Sequence, residues 1–265
     1  MKMTVNKTFD WKVFFALWFA AIFAAIAVLP YALALQSGTG RPLPPVLQAS
    51  PGVQILRNIF VLGVSTAAGL LLAKRIGLGA PILEAWFGGE STADKIRAVL
   101  PVSVLLGIAT SVSVILLEAF IFQPAMMREL GASAAALNVP AAQPAAWMGF
   151  LASFYGGIVE EVLIRLFLLS LLAWLGSFIS KTAEGKPTRL VFWIANILAA
   201  VVFGLGHLPA TMGLVPLTFW VTLRAIALNG LAGILFGYLY WKRGLESTMI
   251  AHFSADIVIH VLAAL

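Results

Sequence analysis

The chain has 265 residues, 61% of them hydrophobic and 11% charged, against roughly a quarter charged in soluble domains, which excludes an ordinary soluble globule. Its net charge of +6 comes from 17 Lys and Arg set against 11 Asp and Glu, but the basic residues fall in short clusters between long apolar runs, as membrane topology demands, so no nucleic-acid partner is expected. No cysteine is present, so a disulfide framework, a thiolate zinc site and a cysteine nucleophile are all excluded.

A bilayer core needs about 20 mostly apolar residues per helix. The first such run, Trp11 to about Leu35, is longer than a signal-peptide core and lacks a clear small-residue cleavage site, so it reads as a retained span. Seven segments qualify in all: 11–36, 55–73, 98–123, 145–180, 190–208, 217–241 and 246–265. The fold class expected is an all-α, polytopic membrane helix bundle of about seven helices, or eight with a hidden re-entrant segment. Segment 145–180 is long for one straight span, and Gly156-Gly157 suggests a division between an interfacial piece and a spanning piece.

Between spans, 76–97 mixes Pro81, Trp86 and charges, as an interfacial helix would. The 124–144 stretch, with Arg128, Glu129, Pro140 and Pro144, reads as an extramembrane loop or short helix. The division expected is 1–144 for N-terminal membrane helices and 145–265 for a chemical core.

With the N-terminus inside, twelve basic residues fall on one face (Lys2, Lys7, Lys12, Lys74, Arg75, Lys95, Arg97, Lys181, Lys186, Arg189, Lys242 and Arg243) and three on the other (Arg41, Arg57 and Arg128). That asymmetry predicts a multi-pass protein of the cell membrane with a cytoplasmic N-terminus. Arg165 and Arg224 remain inside spans.

Ionisable residues held in hydrocarbon cost about 2.5 to 3.5 kcal/mol each on insertion scales, so a cluster of them marks function. Three groups stand out: Glu160, Glu161 and Arg165; His207; and His252 with Asp256. On an α-helix Glu161 and Arg165 share a face, which predicts that Arg165 neutralises Glu161 and leaves Glu160, about 100° round, available as a general base. His207 follows Phe203 by four residues, and Asp256 follows His252 by four, a spacing that lets the carboxylate fix the imidazole tautomer. H-E-x-x-H, G-x-S-G and G-x-G-D are all missing from the sequence, which argues against the usual metallo, serine and aspartyl arrangements. A carboxylate and histidines can activate water for attack on an amide, with a second polar pair holding the oxyanion.

E-E-x-x-x-R at 160–165, F-x-x-x-H at 203–207 and H-x-x-x-D at 252–256, on successive apolar helices, resemble the CAAX-protease and bacteriocin-processing (CPBP, or Abi) family of intramembrane glutamic endopeptidases. The resemblance spans about 145–265. It implies that Glu160 and His207 polarise the attacking water and that His252 and Asp256 stabilise the oxyanion, with Glu161, Arg165 and Phe203 in support. Many members carry Asn at the last motif position; here Asp256 is expected to orient His252, which then donates.

The implied activity is a glutamate-dependent intramembrane protease acting on a membrane-associated protein or peptide, with no organic cofactor and no metal. A non-catalytic scaffold of the same family and a proton-coupled transporter are the alternatives. Residue counting also predicts a difficulty. His252 lies about ten residues in from Lys242 and Arg243, whereas Glu160 and His207 lie about 20 from the basic loops, an offset of roughly 15 Å.

Overall fold

A computed structural model describes residues 9–39, 51–131 and 144–265, and among these the chain is a bundle of helices. In chain order they are α1 (Trp11–Ala27), α2 (Leu29–Thr39), α3 (Pro51–Ile76), α4 (Pro81–Phe87), α5 (Ala93–Leu117), α6 (Gln123–Leu130), α7 (Ala146–Phe154), α8 (Ser170–Gly176), α9 (Arg189–Gly206), α10 (Leu208–Leu214), α11 (Phe219–Arg243) and α12 (Leu245–Asp256). Among the described residues three stretches are π-wound: Glu118–Phe122 joins α5 to α6, Tyr155–Leu169 joins α7 to α8, and Ile257–Val261 extends α12.

Among the described residues, five helical runs are long and apolar enough to cross a membrane: Trp11–Ser37, Ile55–Ile76, Ala93–Leu130, Arg189–Leu214 and Phe219–Arg243. Each matches a segment expected from hydropathy. The other two expected segments are the ones loaded with ionisable residues, and both are helical, as α7 through α8 and as α12 with its π-wound extension. Lipid facing explains the many exposed apolar side chains, such as Phe19, Phe60, Leu105 and Leu190.

The 76–97 segment resolves into a turn at Gly77, the two turns of α4, and the first turn of α5 from Ala93. Its placement depends on the far end of the chain: Glu246 Oε1 accepts from the backbone N–H groups of Ile82 and Leu83, each at 2.8 Å, capping α4 from α12. In the 124–144 stretch, residues 124–130 lie in α6, and 132–143 lie outside the described residues.

Gly156 and Gly157 do not break the helix, contrary to the expected division. The chain runs unbroken from Ala146 to Gly176, changing from α to π winding at Tyr155. The glycines instead admit a neighbour. A Cβ at 156 would collide with the Asp256 carboxylate, and one at 157 would stand 3.0 Å from Phe253 Cβ. Small residues do the same on α5, where Ser103, Gly107 and Ser111 recur every four positions and face α12. Ser103 Oγ meets Ser247 Oγ at 2.8 Å, and Ser111 Oγ donates to Ala255 O at 3.0 Å. Helix α12 is thereby held between α5 and the π-wound segment, while α9 lies along α11. The N-terminal α1 and α3 also pack directly on the π-wound segment, through clusters that join Leu17 to Leu166 and Ala24 to Val159.

Candidate active site

Glu160, Glu161 and Arg165 project from the π-wound segment, His207 caps the end of α9, and His252 and Asp256 lie on α12. All the ionisable residues singled out by motif converge on one cluster. Arg224 does not join it: its Nε pairs with Glu118 Oε2 at 2.6 Å, across to the π-wound turn after α5.

The two adjacent glutamates have different surroundings. Glu161 is fully buried, with Oε1 2.8 Å from Arg165 Nη1 and 2.7 Å from His252 Nδ1, and with Oε2 accepting from Thr248 Oγ1 at 2.7 Å. Arg165 is buried with it; its Nη2 donates to Gly233 O at 3.3 Å, and its Cζ sits 4.7 Å from the centre of the Phe203 ring and 5.6 Å from that of Phe236. These contacts compensate a charge that would be prohibitively costly alone. Glu160 retains 20% side-chain exposure and, among the described residues, makes no side-chain contact of hydrogen-bond length. Its Oε1 lies 3.8 Å from His207 Nε2, and its Oε2 lies 3.6 Å from His252 Nε2.

Hydrogen bonds to the far side of each ring fix what faces Glu160. His207 Nδ1 is 2.8 Å from Phe203 O, and a carbonyl can only accept, so Nδ1 carries a proton and Nε2 is the nitrogen turned to Glu160, with a lone pair there when the ring is neutral. His252 Nδ1 likewise donates to Glu161, which turns its Nε2 toward Glu160 and Asp256. The expected tautomer-fixing bond from Asp256 is therefore corrected. Asp256 Oδ1 stands 3.7 Å from His252 Nε2, beyond hydrogen-bond reach and on the wrong nitrogen, because four residues along the same helix it approaches the outer edge of the ring. Glu161, coming from the neighbouring helix, reaches the inner edge.

Aromatic rings close the cluster. Phe236 stacks on His252 with centroids 4.7 Å apart, and Phe203 meets His207 edge-on at 4.8 Å and His252 at 5.9 Å. These contacts also remove the depth offset. His252 and Phe236 are each eight residues from the turn at Gly244, at one level of the α11–α12 hairpin. Phe203 and Glu160 extend from the level of His207 toward it, and Glu160 spans the two imidazoles with one oxygen toward each.

Four contributors escaped the motifs. Thr248 and His260 complete a four-residue repeat, 248-252-256-260, that is visible in the sequence. Phe236 and Gly156 carry no local signal, since their part depends on which helices meet. Gly156 gives a prediction: Gly156→Ala puts a methyl where the Asp256 carboxylate lies and 2.9 Å from His252 Nε2, so the Asp256 and His252 side chains must be displaced. Overpacking of this kind costs about 1 to 3 kcal/mol, to be read as lower thermal stability in detergent than wild type.

Among the described residues, no group of three or more His, Asp and Glu side chains is arranged to hold a metal ion. No curated protein and no solved structure matches the chain. A family model described as "Type II CAAX prenyl endopeptidase Rce1-like" matches residues 140–258, a stretch that contains all three motifs. The site-bearing part of this multi-pass membrane protein, residues 140–258, is thus similar to the Rce1-like type II CAAX prenyl endopeptidases.

Proposed function

We propose that the protein is a glutamate-dependent intramembrane endopeptidase whose nucleophile is a water held between Glu160 and His207. The observation that carries this reading is the position of Glu160, a partly exposed carboxylate whose two oxygens face two imidazole Nε2 atoms at 3.8 and 3.6 Å. Glu160 Oε1 and His207 Nε2 are both acceptors, too far apart to bond each other and suitably spaced for one water that donates to both.

Glu160 takes the water proton as the oxygen attacks the scissile carbonyl carbon, and His207 orients the second hydrogen. His252, with Nδ1–H committed to Glu161, donates from a protonated Nε2 to the oxyanion, and Asp256 supports that cation. Protonated Glu160 then returns its proton to the leaving amine as the C–N bond breaks. The buried Glu161–Arg165 pair holds His252 in register, and Phe203 packs between Arg165 and the two rings.

The substrate class is a membrane-associated protein or peptide. The family match favours a prenylated C-terminal CAAX-type segment, delivered from the bilayer. A farnesylated CAAX-type peptide carrying a fluorophore and a quencher, incubated with the purified protein in detergent, tests this: time-dependent release of the C-terminal fragment is the expected result. Residues 1–144 act in this reading as the membrane scaffold for the core at 145–265.

Orientation follows from the basic asymmetry, with the N-terminus cytoplasmic in the cell membrane. Ala183 is exposed in the loop that carries Lys181 and Lys186, and the chain has no native cysteine. Ala183→Cys is expected to react with a membrane-impermeant maleimide in inverted vesicles and to stay unlabelled in intact cells. Labelling in intact cells would reverse the orientation.

A further inference from the structure

The repeat 248-252-256-260 continues one helical turn past the last motif, and its final residue, His260, has no part in the mechanism above. Asp256 Oδ1 lies between two imidazoles, 3.7 Å from His252 Nε2 and 3.9 Å from His260 Nε2. Its second oxygen is turned to Gly156, which has no side chain to donate. On the far side of His260, the Tyr31 hydroxyl from α2 lies 2.9 Å from Nδ1, with the two rings edge-on at 5.2 Å. Helix α2, contributed by the N-terminal region, thus touches the site through a polar contact.

We propose that Tyr31 and His260 are positioning residues that hold Asp256 as a carboxylate aimed at His252. The phenolic hydroxyl donates to His260 Nδ1, so the ring proton sits on Nε2 and faces Asp256. A carboxylate flanked by that N–H and by His252 remains an anion, and the anion in turn keeps His252 doubly protonated, the form that donates to an oxyanion. Among the described residues, the charged and titratable groups set against Asp256 and His260 are Glu160 and Glu161 from the π-wound segment, His252 from α12 and Tyr31 from α2. Helix α7, packed on the same turn, contributes none, and the charges of α5 are confined to Asp94, Lys95 and Arg97 at its far end.

The inference rests on the hydrolytic reading for its consequence in catalysis, though not for the location of the proton. The full-length protein in detergent, in its wild-type, His260→Ala, His260→Gln and Tyr31→Phe forms, provides the test with two readouts. With the farnesylated CAAX-type peptide, His260→Ala is expected to lower kcat by about tenfold at neutral pH with KM nearly unchanged. It should also move the alkaline limb of the kcat profile to lower pH, because His252 loses its counter-anion. Tyr31→Phe should shift the limb the same way by less, and His260→Gln, which restores an N–H donor near the place of Nε2, should bring it back toward wild type. Infrared spectroscopy needs no turnover: a carboxylic-acid band should appear in His260→Ala, be missing in wild type and His260→Gln, and vanish when Asp256→Asn is added. A wild-type limb in His260→Ala, a glutamine variant no nearer to wild type than alanine, or no new acid band would each overturn the proposal. Failure of the wild type to cleave the peptide would count against the hydrolytic reading instead, and the infrared band alone would then decide where the proton lies.

Discussion

Glu160→Gln is expected to reduce peptide hydrolysis per folded molecule by about 10² or more, with folding and membrane insertion intact. The amide keeps the shape of the side chain and one acceptor oxygen, and removes the negative charge and with it the ability to take a proton from water. The structure explains why the fold should tolerate the change. Glu160 is partly exposed and stands 3.6 and 3.8 Å from two imidazoles without a direct bond to either. Cleavage of the farnesylated peptide at matched concentrations of folded protein measures the effect. A cellular phenotype that survives Glu160→Gln but is lost in Arg165→Ala would favour a scaffold over an enzyme.

Glu161→Gln is expected to fail in the opposite way, through stability. Arg165 is fully buried and its Nη1 lies 2.8 Å from Glu161, so the amide leaves a cation without its counter-charge inside the bundle. Breaking a buried pair from one side costs about 3 to 5 kcal/mol. The loss should show as a lower unfolding temperature in detergent and reduced yield from membranes. The cost comes from the orphaned charge, so Glu161→Gln combined with Arg165→Met should recover part of the stability but not the activity, since His252 still lacks a carboxylate on Nδ1. An unfolding temperature equal to that of wild type in the single variant would show that Arg165 is adequately held by Gly233 O and the Phe203 and Phe236 rings.

The contrast between the two glutamates was legible in the sequence because it depends on spacing within one helix. Glu161 and Arg165, four apart, meet even though the segment is π-wound, an unusual winding that hydropathy does not register. The five long apolar runs were legible for the same local reason. What depends on the meeting of distant helices was not. Asp256 shares a face with His252 as its spacing requires, yet the bond that fixes the ring comes from Glu161, 91 residues away. Gly156-Gly157 reads as a helix break in isolation and serves as the seat for Asp256 once α12 is in place. Arg224 finds Glu118, 106 residues away, and Tyr31 finds His260, 229 residues away, with no motif to announce either. His260 itself could have been found, because it extends the four-residue repeat by one step.

The central claim is that a water activated by Glu160 attacks the peptide bond directly. The most direct measurement is a single turnover of the farnesylated CAAX-type peptide by excess wild-type protein in water enriched in heavy oxygen, with products and intact protein followed by mass spectrometry. One heavy oxygen in the new C-terminal carboxylate, with no acyl adduct on the protein at any time, is the predicted result. Accumulation of a peptide-sized adduct on the protein during the turnover would contradict the account.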